Sequence, residues 1–209
     1  MNLLNNSLKL KRVADIVLAS LALLVLLPLF PLIALAIKLD SKGPVLFRQW
    51  RVGSIHRDYV ELFQMIKFRS MRVDAEKQSG AVWASKTDPR ITTVGRFLRK
   101  TRLDELPQLI NVLRGDMSLI GPRPERPDFY RNLEDNIPFY SERTYGVRPG
   151  ITGLAQVYQG YDTCIEDVRS KVAFDHSYAL ALSSVPGWIA TDFRIMCLTL
   201  WVMLRGRGQ

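Results

Sequence analysis

Asp104 and Glu105 are adjacent carboxylates at the start of the segment TRLDELPQLINVLRGD, residues 101–116. Arg123 and Arg148 each stand in a turn that proline and glycine stiffen, Gly121-Pro-Arg-Pro124 and Arg148-Pro-Gly-Ile-Thr-Gly153. At a helix start, backbone N–H groups and the positive end of the helix dipole sit beside such carboxylates. An arginine fixed in a turn with free backbone N–H groups nearby suits a phosphate. Singly, these features have ordinary meanings, since acids in a first helical turn complement the helix dipole and Pro/Gly turns are common loops. Together, and downstream of an apolar segment of membrane length, they describe a cation-rich site for phosphate chemistry at a membrane surface.

The elements that must position these groups are legible by periodicity. Leu106, Leu109, Ile110 and Leu113 form an i, i+3, i+4, i+7 stripe that ends at Gly115, which predicts a helix. Pro107 is tolerated only in a first turn, so the helix is expected to begin near Leu103 or Asp104, with the dyad at its N-terminus. Thr93 precedes VGRFLRKT, where Val94, Phe97 and Leu98 are expected on one face and Arg96, Arg99 and Lys100 elsewhere. That short basic helix suits either an anionic membrane surface or a core contact with solvated arginines. Pro44–Gly53 and Tyr59–Met71 are rich in β-branched and aromatic residues and read as paired strands. Met71–Pro89 is polar and expected to be irregular, apart from the small and aromatic residues of Gly80–Trp83.

From Val13 to Ile37 the chain is apolar except for Asp15, Ser20, Pro28 and Pro31. A straight helix of that length would exceed the ~30 Å hydrocarbon layer of a bilayer. Proline within the run favours a bend. Lys9, Lys11 and Arg12 precede the run and Lys38, Lys42, Arg48 and Arg51 follow it, so a single crossing would place one cationic cluster on the wrong side. A re-entrant hairpin that bends at proline, Pro28 or Pro31, and returns keeps both clusters in the cytoplasm. Residues 1–40 are therefore expected to form a membrane anchor and 41–209 one cytoplasmic α+β domain. Near the C-terminus, Ile195–Leu204 is too short an uninterrupted apolar stretch to span. Trp188, Trp201, Arg205 and Arg207 fit a helix half-sunk at the interface, with a core helix as the other reading.

Composition narrows the class. The 209 residues carry 29 Lys+Arg against 20 Asp+Glu, a formal charge of +9, and 47% apolar residues exclude a disordered chain. Cys164 and Cys197 form no CxxC pair and His56 and His176 have no ligand spacing, so neither a disulfide framework nor a zinc site is expected. The aromatics are not interleaved with the basic clusters as a nucleic-acid stacking platform requires, and no nucleic-acid partner is expected. There is no Walker P-loop, HExxH or GxSxG.

KFRSM (Lys67–Met71), DPRITTVGRFLRKTRLDELPQLINVLRGDMSLIGPRPERP (Asp88–Pro127) and VRPGITG (Val147–Gly153), in that order, resemble the bacterial sugar transferase family, whose members are monotopic phosphoglycosyl transferases. The resemblance covers nearly the whole chain. It implies the minimal catalytic form, a helix-rich domain with a short β-hairpin behind a re-entrant membrane helix, at the inner membrane with its catalytic domain in the cytoplasm among phospholipids. It further implies transfer of a sugar-1-phosphate from a UDP-sugar to polyprenyl (undecaprenyl) phosphate with release of UMP, at the first membrane step of exopolysaccharide, capsule or O-antigen synthesis. By match, Asp104 is the nucleophile that becomes a covalent phosphosugar ester, and Glu105 helps hold Mg²⁺. Arg99, Arg123 and Arg148 are the expected phosphate supports, Lys67 a weaker one, and Asp175 an acid that orients one of these cations. Pro28 matches the family's helix bend, although Leu27 precedes it where many members have a serine; Leu154 replaces a frequent aromatic after the RPGITG turn. A nonenzymatic membrane scaffold accounts for the anchor and the charge but gives no reason for an acidic dyad among arginines.

Overall fold

The computed structural model describes residues 2–77, 80, 82–83, 88–159 and 164–205. Helix α1 (Asn2–Leu26) and α2 (Leu29–Asp40) meet at Pro28 with a bend of 62°. Among the described residues no single helix is long and apolar enough to cross a membrane. A β-hairpin of β1 (Leu46–Ile55) and β2 (Val60–Phe68) follows, antiparallel, with Phe47 opposite Lys67 and a bulge between Val52 and Ile55. These are the two strands expected from the β-branched and aromatic runs.

Next come α3 (Thr93–Thr101), a 3-10 turn (Leu103–Glu105), α4 (Gln108–Arg114), β3 (Ser118–Ile120) and α5 (Pro127–Asn136). A second 3-10 turn (Ser141–Thr144), β4 (Gly150–Thr152), α6 (Leu154–Tyr158), α7 (Ile165–Ala181) and α8 (Val185–Leu204) complete the chain. The architecture is mixed and mostly helical.

Both arms of the bent pair are sewn into the rest of the protein. Ala19 of α1 is buried with Phe63, Met65, Leu109, Val112 and Met117, and Leu23 and Leu26 pack on that cluster. Ile33 and Ile37 of α2 are buried with Phe68 and Leu98. Each aliphatic side chain so buried is worth roughly 1.5–3 kcal/mol. The other faces of the pair leave Val13, Val17, Leu21, Leu24, Val25, Leu32, Leu35 and Leu39 exposed. An all-round apolar run therefore serves two environments, packing one stripe on protein and presenting the remainder outward.

Asp15, the acid inside the apolar run, is buried in this junction. Its carboxylate accepts from Ser118 Oγ at 2.8 Å and the Leu119 N–H at 3.1 Å, and it lies 3.7 Å from Lys11. Lys11 donates to Asp192 of α8 at 2.8 Å, and Tyr178 Oη and Trp188 Nε1 donate to the same carboxylate at 2.8 and 2.7 Å. Trp188 is therefore a buried partner of Asp192, which fits the core reading of this helix at that position and not the interfacial one. Among its described residues that helix exposes Ile189, Phe193, Met196, Leu200 and Trp201, and the Arg205 guanidinium lies over the Trp201 ring.

α3 takes the core contact, one of its two expected readings, and only Phe97 departs from the expected shared face. Leu98 is buried against α2 and Val94 packs on the same cluster, while Phe97 is exposed. Thr92 Oγ1 caps the Gly95 N–H, and the Asp40 carboxylate accepts from the Val94 N–H, tying the end of α2 to the start of α3.

The glycine N–H groups that open the first Pro/Gly turn and follow Pro149 in the second are not free. β3 and β4 run parallel, and the turns close on each other: the Gly121 N–H donates to Thr152 O and the Gly150 N–H to Pro122 O, both at 2.9 Å. A Cβ on Gly121 would strike the Arg148 carbonyl, and one on Gly150 would strike the Gly121 nitrogen and the Thr152 carbonyl. Glycine is required by backbone contact. Gly150→Ala is expected to cost about 1–3 kcal/mol as an overpacked site, lowering the thermal midpoint by roughly 2–4 °C per kcal/mol, measured by a melt in detergent; an unchanged midpoint contradicts the close approach.

Candidate active site

α3 ends at Arg102, whose left-handed backbone (φ 59°) turns the chain into the Leu103–Glu105 turn. In a 3-10 turn residues i and i+3 eclipse, so Leu103 and Leu106 share a side and both pack on the Ile33–Ile37–Phe68–Leu98 cluster. Asp104 and Glu105 are thereby turned to other directions. The helix expected from Leu103 onward starts only at Gln108, with Pro107 at its N-cap, so the dyad occupies a separate turn before α4.

That turn walls a cavity of about 450 Å³, lined by Lys67, Arg99, Asp104, Glu105 and Arg123. The β-hairpin supplies a second wall. Its period-two alternation sends Phe47, Gln49, Arg51, Met65 and Lys67 to the cavity. Asp104 and Glu105 are 8% and 5% exposed, so burial must be offset by charge.

For Glu105 it is offset by contact. Lys67 Nζ lies 2.7 Å from Glu105 Oε1, Arg123 3.5 Å from the same oxygen, and Arg102 3.6 Å from Oε2. Burial alone would raise its pKa, but these three cations outweigh it and hold the carboxyl well below the usual carboxylate range. Glu105 is a permanent anion. Among the described residues Asp104 makes no ion pair. Burial pushes its pKa up, and the neighbouring Glu105 charge pushes it further, against the pull of Lys67, Arg99 and Arg102. The dyad is thus split by environment into a clamped anion and a more basic carboxylate facing the cavity wall, a division of roles that suits chemistry.

Lys67, ranked low from sequence, is the tightest partner of the dyad. Its ammonium is depressed by burial, with Glu105 opposing the shift. Arg99 and Arg123 stand where the sequence placed them. Arg148 does not: its Nε donates to Gly115 O at 2.9 Å at the far end of α4, beside Arg12, which binds the Val112 and Leu113 carbonyls. Arg148 does not line this cavity, and where it sits it neutralises orphan helix carbonyls.

Asp175 orients a cation that the sequence did not single out. Its carboxylate accepts from Arg143 Nη1 at 2.9 Å, and Arg143 Nη2 donates to the Arg123 carbonyl at 3.1 Å and Tyr140 Oη at 3.0 Å. The acid reaches Arg123 through a buried guanidinium and the backbone. Arg51, also missed, donates to Pro124 O at 3.2 Å, pairs with Glu125 at 3.5 Å, and is pushed down to about 10 by burial. Strand alternation from Gln49 was the signal for Arg51; Arg143, in a 3-10 turn, had none.

Among the described residues no three His, Cys, Asp or Glu side chains converge on a common point, so there is no protein-only metal cage. Two adjacent carboxylates fit Mg²⁺, which is ordinarily held by one or two carboxylates, substrate phosphates and water. Lys67, Arg102 and Arg123 outnumber the dyad's two charges, so a divalent cation is favoured here only together with an anionic ligand.

Two buried carboxylates of unequal basicity facing lysine and arginine across a cavity define a centre for an anionic, phosphate-like ligand. A family model described as bacterial sugar transferase matches residues 6–206, and the chain belongs to that family. It is 46% identical over 198 residues to the UDP-N-acetylgalactosamine-undecaprenyl-phosphate N-acetylgalactosaminephosphotransferase of Aeromonas hydrophila, covering 95% of this chain and 44% of the relative. It is 44% identical over 194 residues to the UDP-glucose:undecaprenyl-phosphate glucose-1-phosphate transferase of Escherichia coli (strain K12), covering 92% of this chain and 39% of the relative. The chain thus spans less than half the length of these two relatives. It is 42% identical over 207 residues to the exopolysaccharide production protein PSS of Rhizobium leguminosarum bv. phaseoli, covering 96% of this chain and 98% of that relative.

Proposed function

We propose that this protein transfers a sugar-1-phosphate from a UDP-sugar to polyprenyl phosphate through a covalent ester on Asp104. The observation that carries the reading is the split dyad: Asp104 raised and, among the described residues, without an ion pair, Glu105 held ionised by Lys67, Arg102 and Arg123. In the first half-reaction a carboxylate oxygen of Asp104 attacks the sugar-bearing phosphorus. The bond from that phosphorus to the bridging oxygen breaks, and UMP departs with the electron pair. In the second, a phosphate oxygen of polyprenyl phosphate attacks the same phosphorus and returns Asp104 as a carboxylate. Two displacements at one site give ping-pong kinetics.

Arg99 and Arg123 compensate the charge that spreads over the phosphoryl oxygens, and Lys67 holds Glu105 in place beside the nucleophile. Glu105, together with diphosphate oxygens, would hold Mg²⁺. When bound, Mg²⁺ neutralises the diphosphate and improves UMP as a leaving group.

The bent helix pair supports an inner-membrane location with the site in the cytoplasm. It enters the bilayer, turns at Pro28 and returns, because α1 and α2 both pack on the same catalytic core while their remaining faces are apolar. A lipid phosphate then meets a soluble nucleotide without leaving the leaflet. In a variant lacking Cys164 and Cys197, Asn6→Cys and Lys42→Cys are each expected to label from the cytoplasmic face of inverted vesicles. Labelling of one from the opposite face contradicts re-entrance.

The chemistry is tested by incubating the purified protein and Mg²⁺ with a panel of UDP-sugars and measuring intact mass. An added phosphosugar with release of UMP is expected, and absence of both with every donor removes the proposal. A pH profile tests the split of the dyad. The acid limb of kcat/KM reports Asp104 in the free enzyme. Lys67 pulls the Asp104 pKa down, so Lys67→Met raises it and moves the acid limb to higher pH. A limb that stays in place, or moves to lower pH, assigns the titration to another group.

A further inference from the structure

The cavity continues beyond the dyad. Arg51 links the two parts: it lines the cavity with Glu105 and Arg123 and also with Glu125 and Arg126, and feels the charge of all four. Past it, the Arg126 guanidinium lies 5.4 Å from the Phe129 ring centre, and Phe129 sits 5.3 Å from Trp83 with the rings tilted by 51°. Trp83 and Phe129 are half-buried; one side of each packs on the Leu133–Tyr140–Val172 cluster, and both line the cavity. Arg126 is steered by a two-pronged contact with Glu76 at 2.7 and 3.0 Å.

This end has donors without acceptors. Among the described residues, Arg51 Nε, Arg90 Nη1 and Arg126 Nε are buried and find no hydrogen-bond partner, although each guanidinium lines the cavity. Such groups are costly unless a ligand brings oxygen to them. A hexose presents hydroxyls that both give and accept, which suits a mixed wall of carboxylates and amides. Uracil presents a π face and two carbonyl acceptors, which suits aromatic rings beside donor-only arginines.

Resting on the transferase reading, we infer that the Trp83–Phe129 end of the cavity takes the uracil ring of the donor, the aromatics covering its face and Arg126 and Arg90 meeting its carbonyl oxygens. The diphosphate then lies between this end and Asp104, along Arg51 and Arg123, and the sugar projects to the other side of the dyad. Trp83 and Phe129 are binding residues that set nucleobase selectivity.

The test compares UMP with ribose 5-phosphate as inhibitors of UMP release by the full chain in detergent with its best UDP-sugar. The wild type is expected to prefer UMP by at least about 10-fold. Trp83→Leu and Phe129→Leu should each weaken UMP by about 5- to 100-fold, the loss expected when one base-stacking contact is removed, and leave ribose 5-phosphate unchanged. The two variants keep apolar bulk toward the core, and a wild-type thermal midpoint verifies folding. The wild-type comparison needs no variant at all: equal inhibition by both probes overturns the inference. Unchanged UMP inhibition in folded variants also overturns it, as does a change confined to which sugar is accepted. A wild type that turns over no UDP-sugar defeats the transferase reading itself, whereas turnover with any of the preceding results defeats only the uracil assignment.

Discussion

Asp104→Asn is expected to abolish both half-reactions, the exchange of labelled UMP into UDP-sugar and the formation of the lipid product, with kcat lower by about 10⁴- to 10⁶-fold, the range seen when a covalent nucleophile is removed. The substitution keeps the shape of the side chain while removing its charge and nucleophilicity. It also removes the repulsion between two neighbouring buried carboxylates, the interaction that together with burial raises Asp104. The variant is therefore expected to fold at least as stably as the wild type, so loss of activity is not a folding artefact. Glu105→Gln behaves differently. It strips Lys67, Arg102 and Arg123 of their shared partner, and it is expected to lose stability as well as activity. If Asp104→Asn retains UMP exchange, the covalent route through this residue is wrong, and a direct transfer between the two substrates takes its place.

The elements that periodicity can report were legible. The β-hairpin follows from alternating β-branched and aromatic residues, and the α4 stripe of Leu109 and Leu113 from a 3.6-residue repeat. The pair Asp104–Glu105 stood out by residue type. Its setting did not, because whether Pro107 closes a first turn of an α-helix or separates a 3-10 turn from the next helix depends on Leu103 and Leu106 finding α2 and β2. Phe97 and Trp188 show the same limit from opposite sides: a helical face names candidates, and only the packing partner decides which is buried.

Long-range polar contacts were the least legible. β3 and β4 are three residues each, pair across about thirty residues of chain, and bring together the turns in which the Gly121 and Gly150 N–H groups, available in an isolated reading, are bonded. Arg148 was a sound candidate by turn chemistry, yet its guanidinium answers the carbonyl of Gly115. The charges of the apolar run had a comparable fate. Asp15 interrupts a membrane-length segment because it binds Ser118 and Leu119 and lies beside Lys11, which reaches α8. That junction also bears on the membrane proposal: with α1 fastened to β3 and α8, and α2 to β2 and α3, a straight span would tear one arm from a buried cluster.

Asp175→Ala is expected to cost about 3–5 kcal/mol of stability, because it leaves Arg143 as an uncompensated buried charge. Arg143 is 6% exposed and lies over Tyr140, with its guanidinium 4.5 Å from the ring centre, and Tyr140 is itself buried in the Leu133–Tyr140–Val172 cluster. A structural role alone would be satisfied by replacing both partners with apolar residues of similar volume, so Arg143→Met with Asp175→Leu is expected to recover most of the lost stability. The double variant does not restore the hydrogen bond from Arg143 to the Arg123 carbonyl. Arg123, whose side chain faces Glu105 and the cavity, is then held less firmly. One lost hydrogen bond of about 1 kcal/mol corresponds to a fall in kcat of roughly 5-fold, with little change in the KM for the UDP-sugar if the contact matters mainly in the transition state. Recovery of stability together with full kcat would reduce Asp175 and Arg143 to core packing; recovery of stability without kcat assigns them to positioning Arg123 against the transferring phosphate.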